Sequence, residues 1–148
     1  MTWQRQLKEG NVQPHIATRR EIDDLRSVVQ RNLADASLQR LSADNRLGLA
    51  YEAALVACKM VVHASGYRVR SGIGGAHATT LECALIALGR SSAARLQFFD
   101  SIRRRRNTLS YDVAGTVSDH DAGDALRQAT TFVATVETWL KTHAPGLA

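Results

Sequence analysis

The sequence predicts an all-α fold, a single domain of about five helices. Three observations predict it. Apolar residues recur at three- and four-residue spacing over five separate stretches, these stretches are bounded by Ser or Thr caps and by glycines, and none shows sustained strand alternation. The 148 residues suffice for one domain with a moderate core, and no repeat or low-complexity linker divides them.

Residues 1–17 hold Trp3, Gly10 and Pro14 without clear periodicity and read as an irregular N-terminal arm; residues 18–148 form the helical domain. Thr18 followed by Glu21 is a capping-box signature, and Ile22, Leu25, Val29 and Leu33 then recur to about Ser37, the first helix. Ser42 opens a second, whose stripe Leu47, Tyr51, Ala54, Cys58 and Val61 runs on until Gly66. Three glycines in "YRVRSGIGGA" break the pattern, and Ala78 to Leu88 resumes it through Leu81, Ala84 and Leu85 before Gly89. Ser91 or Ser92 opens the fourth helix and Gly115 closes that region. Ser118 with Asp121 caps the fifth, striped by Ala122, Ala125, Ala129, Phe132, Val136, Trp139 and Leu140. The second, fourth and fifth helices have the longest and best-phased stripes, so they are expected to form the core.

The chain carries 19 Lys plus Arg against 14 Asp plus Glu, and only Lys8, Lys59 and Lys141 of the cations are lysine. Arginine offers a planar donor fork suited to phosphate, although a GC-rich genome produces the same bias with no function attached. Cys58 and Cys83 each sit in a helical apolar pattern, which suits reduced core thiols and a cytoplasmic location. The chain opens on no secretory signal, and Glu52, Lys59 and His63 interrupt the longest apolar stretches, so no membrane association is expected. His15, His63, His120 and His143 show no metal-ligand spacing, so neither a metal nor another cofactor is expected. "GIGG" at 72–75 lacks the Lys-Ser/Thr and the preceding strand of a phosphate-binding loop and reads as a connector.

The most conspicuous feature is "SIRRRRNTLSYD", where Arg103, Arg104, Arg105 and Arg106 stand together inside a helix. Like charges at helical spacing repel and must be offset by solvent, by Asp100 and Asp112, or by an anionic ligand. At 100° per residue, Phe98, Ile102 and Leu109 cluster on one side with Arg105 and Arg106 at its edges, while Arg104, Asn107 and Tyr111 fall on the opposite side. That second face reads either as a solvated surface with Tyr111 covering the helix end or as a phosphate site.

Arg106-Asn107 followed by Tyr111 resembles the signature of HEPN-domain proteins, in which an Arg and a polar residue stand a few positions before a His near a helix end. "SADNRLGLAYEAAL", "ASGYRV", a Gly-rich loop with His77, "ALG" and a terminal "ETWL" are similar, in order and spacing, to a bacterial HEPN subgroup, and the likeness covers Trp3 to Leu140. Tyr111 occupies the histidine position, a departure that bears on the chemistry. The resemblance implies a compact bundle that homodimerises so that both motifs line one cleft. It also implies metal-independent RNA cleavage by a toxin or phage-defence effector. On that reading Arg106, with Arg103, Arg104 and Arg105, supplies positive charge to the phosphate, Asn107 orients an oxygen, and Tyr111 donates a proton, since a phenol is a poor base. His77 serves as base, or is simply a helix cap or half-buried core residue. Asp44 and Arg46 read as cap and surface charges with a supporting role near the cleft, and Glu52 as an ordinary exposed carboxylate. The alternative is a non-catalytic HEPN module that binds RNA or a nucleotide, or docks a nucleotidyltransferase-type antitoxin partner.

Overall fold

The computed structural model describes residues 1–109 and 116–148. Its elements are α1 (Trp3–Lys8), β1 (Val12–Pro14), α2 (Arg19–Ala36), α3 (Ala43–Ala64), β2 (Tyr67–Val69), α4 (Ala76–Leu88), α5 (Ala93–Leu109) and α6 (Asp119–His143). The five predicted helices correspond to α2 to α6, and the fold is an all-α bundle with one small two-stranded ribbon.

Local chemistry sets the helix starts. Thr18 Oγ1 accepts the Glu21 amide at 3.2 Å and Ser42 Oγ the Asn45 amide at 3.3 Å. Ser118 and Asp121 form a full capping box, each side chain accepting the other's backbone amide. Gly66, at φ +96°, turns the chain out of α3 and into β2, a conformation L side chains rarely adopt.

α3 is the central helix because it is apolar nearly all round: Leu47, Ala50, Tyr51, the run Ala53 to Cys58, and Met60 to Val62 are all buried. It has the length and mean hydropathy, 1.4, of a membrane span, yet 72% of that window is buried inside the bundle. α2 and α6 pack against it most extensively, with α4 next and α5 more lightly. The first predicted helix, α2, therefore takes the core place expected of the fourth, α5. The reason is composition: the charged second half of α5 leaves Leu96, Phe99 and Ile102 as its buried apolar side chains among the described residues. Phe99, not Phe98, is the fully buried ring, meeting Phe132 edge-on at a centroid distance of 5.3 Å. Across the bundle, Arg26 clamps Glu137 with two bonds of 2.7 and 3.0 Å, joining α2 to α6.

The segment read as an irregular arm is ordered structure. β1 pairs antiparallel with β2, Val12 opposite Val69 and Pro14 opposite Tyr67. Trp3 stacks on Tyr67 at 4.3 Å, and Val12, Val62 and Cys83 form a satellite core beneath. Six helical and three extended residues are too few to establish a period, so sequence patterning missed both. Cys58 and Cys83 are buried free thiols, as expected; burial pushes the Cys83 thiol up to about 12 and Cys58 higher still.

Candidate nucleic-acid site

The arginine run meets carboxylates from three elements. Arg103 Nε lies 2.8 Å from Asp100 Oδ1, and Arg104 Nε 3.3 Å from Oδ2 of the same residue. Arg105 reaches the N-terminus of α6, where one amino group donates to the Thr116 carbonyl and to Asp121 Oδ2, each at 3.1 Å. With the Ser118 amide as the larger influence, this contact holds the Asp121 carboxyl below its ordinary pKa. Arg105, grouped with the phosphate-binding residues by sequence, therefore ties α5 to the capping box of α6.

Arg106 turns the other way, onto α3. Its Cζ sits 5.2 Å from the centroid of the Tyr51 ring and its Nη1 3.6 Å from Glu52 Oε1. The guanidinium lies over Gly48; a Cβ at that position would stand 3.5 Å from Arg106 Nη2, an ordinary contact distance, so a methyl group fits and a larger side chain does not. Gly48, Tyr51 and Glu52 share one face of α3 at spacings of three and four. The cation–π contact contributes about 0.5–1 kcal/mol at such a partly exposed position, and the ion pair about as much or less. Arg106 and Glu52 border a cleft of about 320 Å³ whose walls include Leu41, Asp44, Asn45 and Gly48.

Behind the guanidinium, Tyr51 is only 1% exposed. Burial, reinforced by the Glu52 charge and only partly opposed by Arg103 and Arg106, pushes its phenol up to about 12. The hydroxyl stays protonated at neutral pH and lies 3.4 Å from Nδ1 of His77, an exposed residue in the first turn of α4. The direction of this bond follows the His77 tautomer: the phenol donates to an unprotonated Nδ1, leaving Nε2–H as a donor toward a ligand, or its oxygen accepts from Nδ1–H, leaving Nε2 as an acceptor.

Three of the seven residues singled out by sequence, Arg103, Arg106 and His77, converge around Tyr51. Arg104 and Asn107 are exposed on α5, Arg105 faces α6, and Tyr111 lies outside the described residues, as do Asp112 and Gly115. Two members of the site were missed. Tyr51 read as one position in a core stripe and Glu52 as a solvated carboxylate. The available signal was the Gly-x-x-Tyr-Glu spacing, which puts a gap, a ring and an anion on one helical face. Arg46 is also not a surface charge: it is buried, with Nε on the Ala36 carbonyl and Nη1 on Asp119 Oδ1, both at 3.4 Å, bracing the end of α2 and the start of α6 beside the cleft.

Comparisons with protein-family models, with curated proteins and with solved structures each find no match to this chain. The likeness to HEPN proteins rests on the residues of this chain alone.

Proposed function

We propose that this chain is a cytoplasmic, HEPN-type, metal-independent RNA endonuclease, a toxin or phage-defence effector that completes its cleft as a homodimer. The observation that carries the reading is the Arg106 guanidinium, held on the Tyr51 ring beside Glu52 in an open cleft, with His77 on the Tyr51 hydroxyl. RNA cleavage at a 2′-hydroxyl needs a proton acceptor, a proton donor and positive charge at the phosphorus. Glu52 takes the 2′-hydroxyl proton as the 2′-oxygen attacks phosphorus. Arg106 and the His77 Nε2–H hold the non-bridging oxygens, and Asn107 orients the ribose. The P–O5′ bond breaks and O5′ receives a proton from Tyr111, leaving a 2′,3′-cyclic phosphate and a 5′-hydroxyl. Solvent returns both side chains to their starting states.

The test is incubation of the purified protein with mixed RNA in EDTA, followed by analysis of the cut ends. Arg106→Ala should abolish cleavage, and Arg106→Lys should recover little, because a point charge does not reproduce a two-pronged phosphate contact. Wild-type activity in Arg106→Ala would remove Arg106 from the site. Tyr111→Phe should slow cleavage by roughly a hundred-fold or more if the phenol carries the proton.

A second reading is favoured by a specific observation: among the described residues the four arginines already meet the carboxylates of Asp100, Asp121 and Glu52, which offset much of the positive charge of the run. On that reading the module binds RNA or a nucleotide, or docks a nucleotidyltransferase-type partner, without cutting. RNA binding that weakens steeply with salt, with no cleavage and no effect of Tyr111→Phe, would establish it in place of the first.

A further inference from the structure

At the far end of α3 from Arg106, three chain segments bring two histidines onto one carboxylate. His15 follows β1, Glu21 lies in the first turn of α2, and His63 lies in the last turn of α3. His15 Nε2 is 2.8 and 2.9 Å from the two oxygens of Glu21. His63 Nδ1 is 3.6 Å from the nearer of them. One ligating atom from each residue lies within 4.8 Å of the others. We infer that His15 Nε2, Glu21 and His63 Nδ1 form a binding site for a divalent transition-metal ion, Zn²⁺ by the chemistry of the set.

One observation beyond proximity points to a ligand, and a second shows that the backbone behind the site is fixed. The Nδ1 atom of His63 is buried and has no hydrogen-bond partner among the described residues, whereas buried polar atoms are nearly always satisfied. The residues are also held from behind: the His15 amide donates to the Gly66 carbonyl at 2.9 Å, and the Glu21 amide is fixed by Thr18 Oγ1. Around a tetrahedral Zn²⁺ with bonds of about 2.0–2.1 Å, donor atoms stand roughly 3.3 Å apart. His15 would draw back from Glu21 by about half an ångström, and His63 would close by a few tenths.

Two imidazoles and one carboxylate suit Zn²⁺, whereas Mg²⁺ and Ca²⁺ prefer oxygen ligands throughout. The three side chains are between 17% and 31% exposed, so water can complete the coordination. Burial above all, with smaller contributions from His15, Arg68 and Lys59 and against the pull of Glu21, disfavours a proton on His63 and so keeps its imidazole in the neutral form that ligates a metal. His63 is more than three turns beyond Tyr51 on α3, on the order of 18 Å along its axis. The ion therefore has no part in the chemistry at Arg106; it staples the β1 segment to the ends of α2 and α3.

The experiment uses the full chain, stripped with chelator and dialysed, then titrated with Co²⁺ and Zn²⁺. Wild type should bind one ion per chain, with the visible absorption of low-symmetry Co²⁺ bleached by Zn²⁺, and its thermal transition should rise with Zn²⁺. His63→Gln and Glu21→Gln should each weaken binding by at least ten-fold and remove the thermal shift, while His120→Gln, on exposed surface, should change neither. Metal-free circular dichroism and thermal melts show whether each variant is folded; if either is not, His15→Asn takes its place. No stoichiometric binding by wild type, or binding indifferent to His63→Gln and Glu21→Gln, overturns the site and leaves a His–Glu hydrogen bond alone.

Discussion

Tyr51→Phe isolates one atom whose energetic role the structure specifies. The phenol has its pKa raised to about 12 by burial, with the Glu52 charge adding to it, against an ordinary value near 10 in an unfolded chain. A group whose folded pKa is raised holds its proton more tightly when folded. Its contribution is therefore intact below about pH 10 and lost as pH rises through about 12. The two-unit difference corresponds to about 2.7 kcal/mol in full, of which about 1.4 kcal/mol has gone by pH 11. Near neutral pH the same substitution removes only a long hydrogen bond to an exposed imidazole, worth about 1 kcal/mol or less. Urea denaturation of wild type and Tyr51→Phe at pH 8, 10 and 11 measures this directly, because all other alkaline titrations are common to both. The two proteins should be nearly equal in stability at pH 8, and the wild type should lose about 1.4 kcal/mol more than the variant by pH 11. Parallel stability curves would show that the hydroxyl ionises in the fold as easily as in water, and the desolvation of the phenol behind Arg106 would have to be abandoned.

The remaining predictions concern the partners of Arg106. Gly48→Ala adds a methyl group at ordinary contact distance from the guanidinium and removes a glycine from a helix interior, so it should stabilise the fold by about 0.5–1 kcal/mol in urea denaturation; a loss of stability would mean the guanidinium is held more tightly than this spacing indicates. Gly48→Leu should instead displace Arg106 from Tyr51 and abolish RNA cleavage while the chain remains folded by circular dichroism. Glu52→Gln frees Arg106 of its internal anion and removes the proposed proton acceptor. RNA affinity should rise several-fold with a steeper salt dependence, while cleavage falls by about a hundred-fold or more. A variant in which affinity and cleavage change together in one direction would separate Glu52 from both roles.

Much of the bundle was legible in the sequence because its helices announce themselves by stripe and cap: Thr18, Ser42 and Ser118 each accept the amide their spacing implied. What was not legible depended on neighbours distant along the chain. Short elements gave no period, so α1 and β1 stayed hidden although Trp3 and Val12 are bound into a satellite core. The histidines at 15 and 63 are 48 positions apart in the sequence and meet only because β1 pairs with β2 at the end of α3.

The arginine run shows the same division most clearly. Asp100 was identifiable as a partner from its spacing of three and four to Arg103 and Arg104 on the same helix, whereas Asp121 and Glu52 come from α6 and α3. Sequence therefore registered the positive charge in full and only part of its neutralisation. This changes what the site can do. A bare arginine cluster would bind polyanions indiscriminately, but Arg106 already has a carboxylate 3.6 Å away, so a phosphate must compete with Glu52 for the same guanidinium. The exchange favours ligands that also offer Glu52 a proton to accept, and a 2′-hydroxyl beside a phosphate does so while a DNA backbone does not. Under the proposed function, a preference for RNA over DNA would arise from the pairing of α3 with α5, and neither helix read alone contains it.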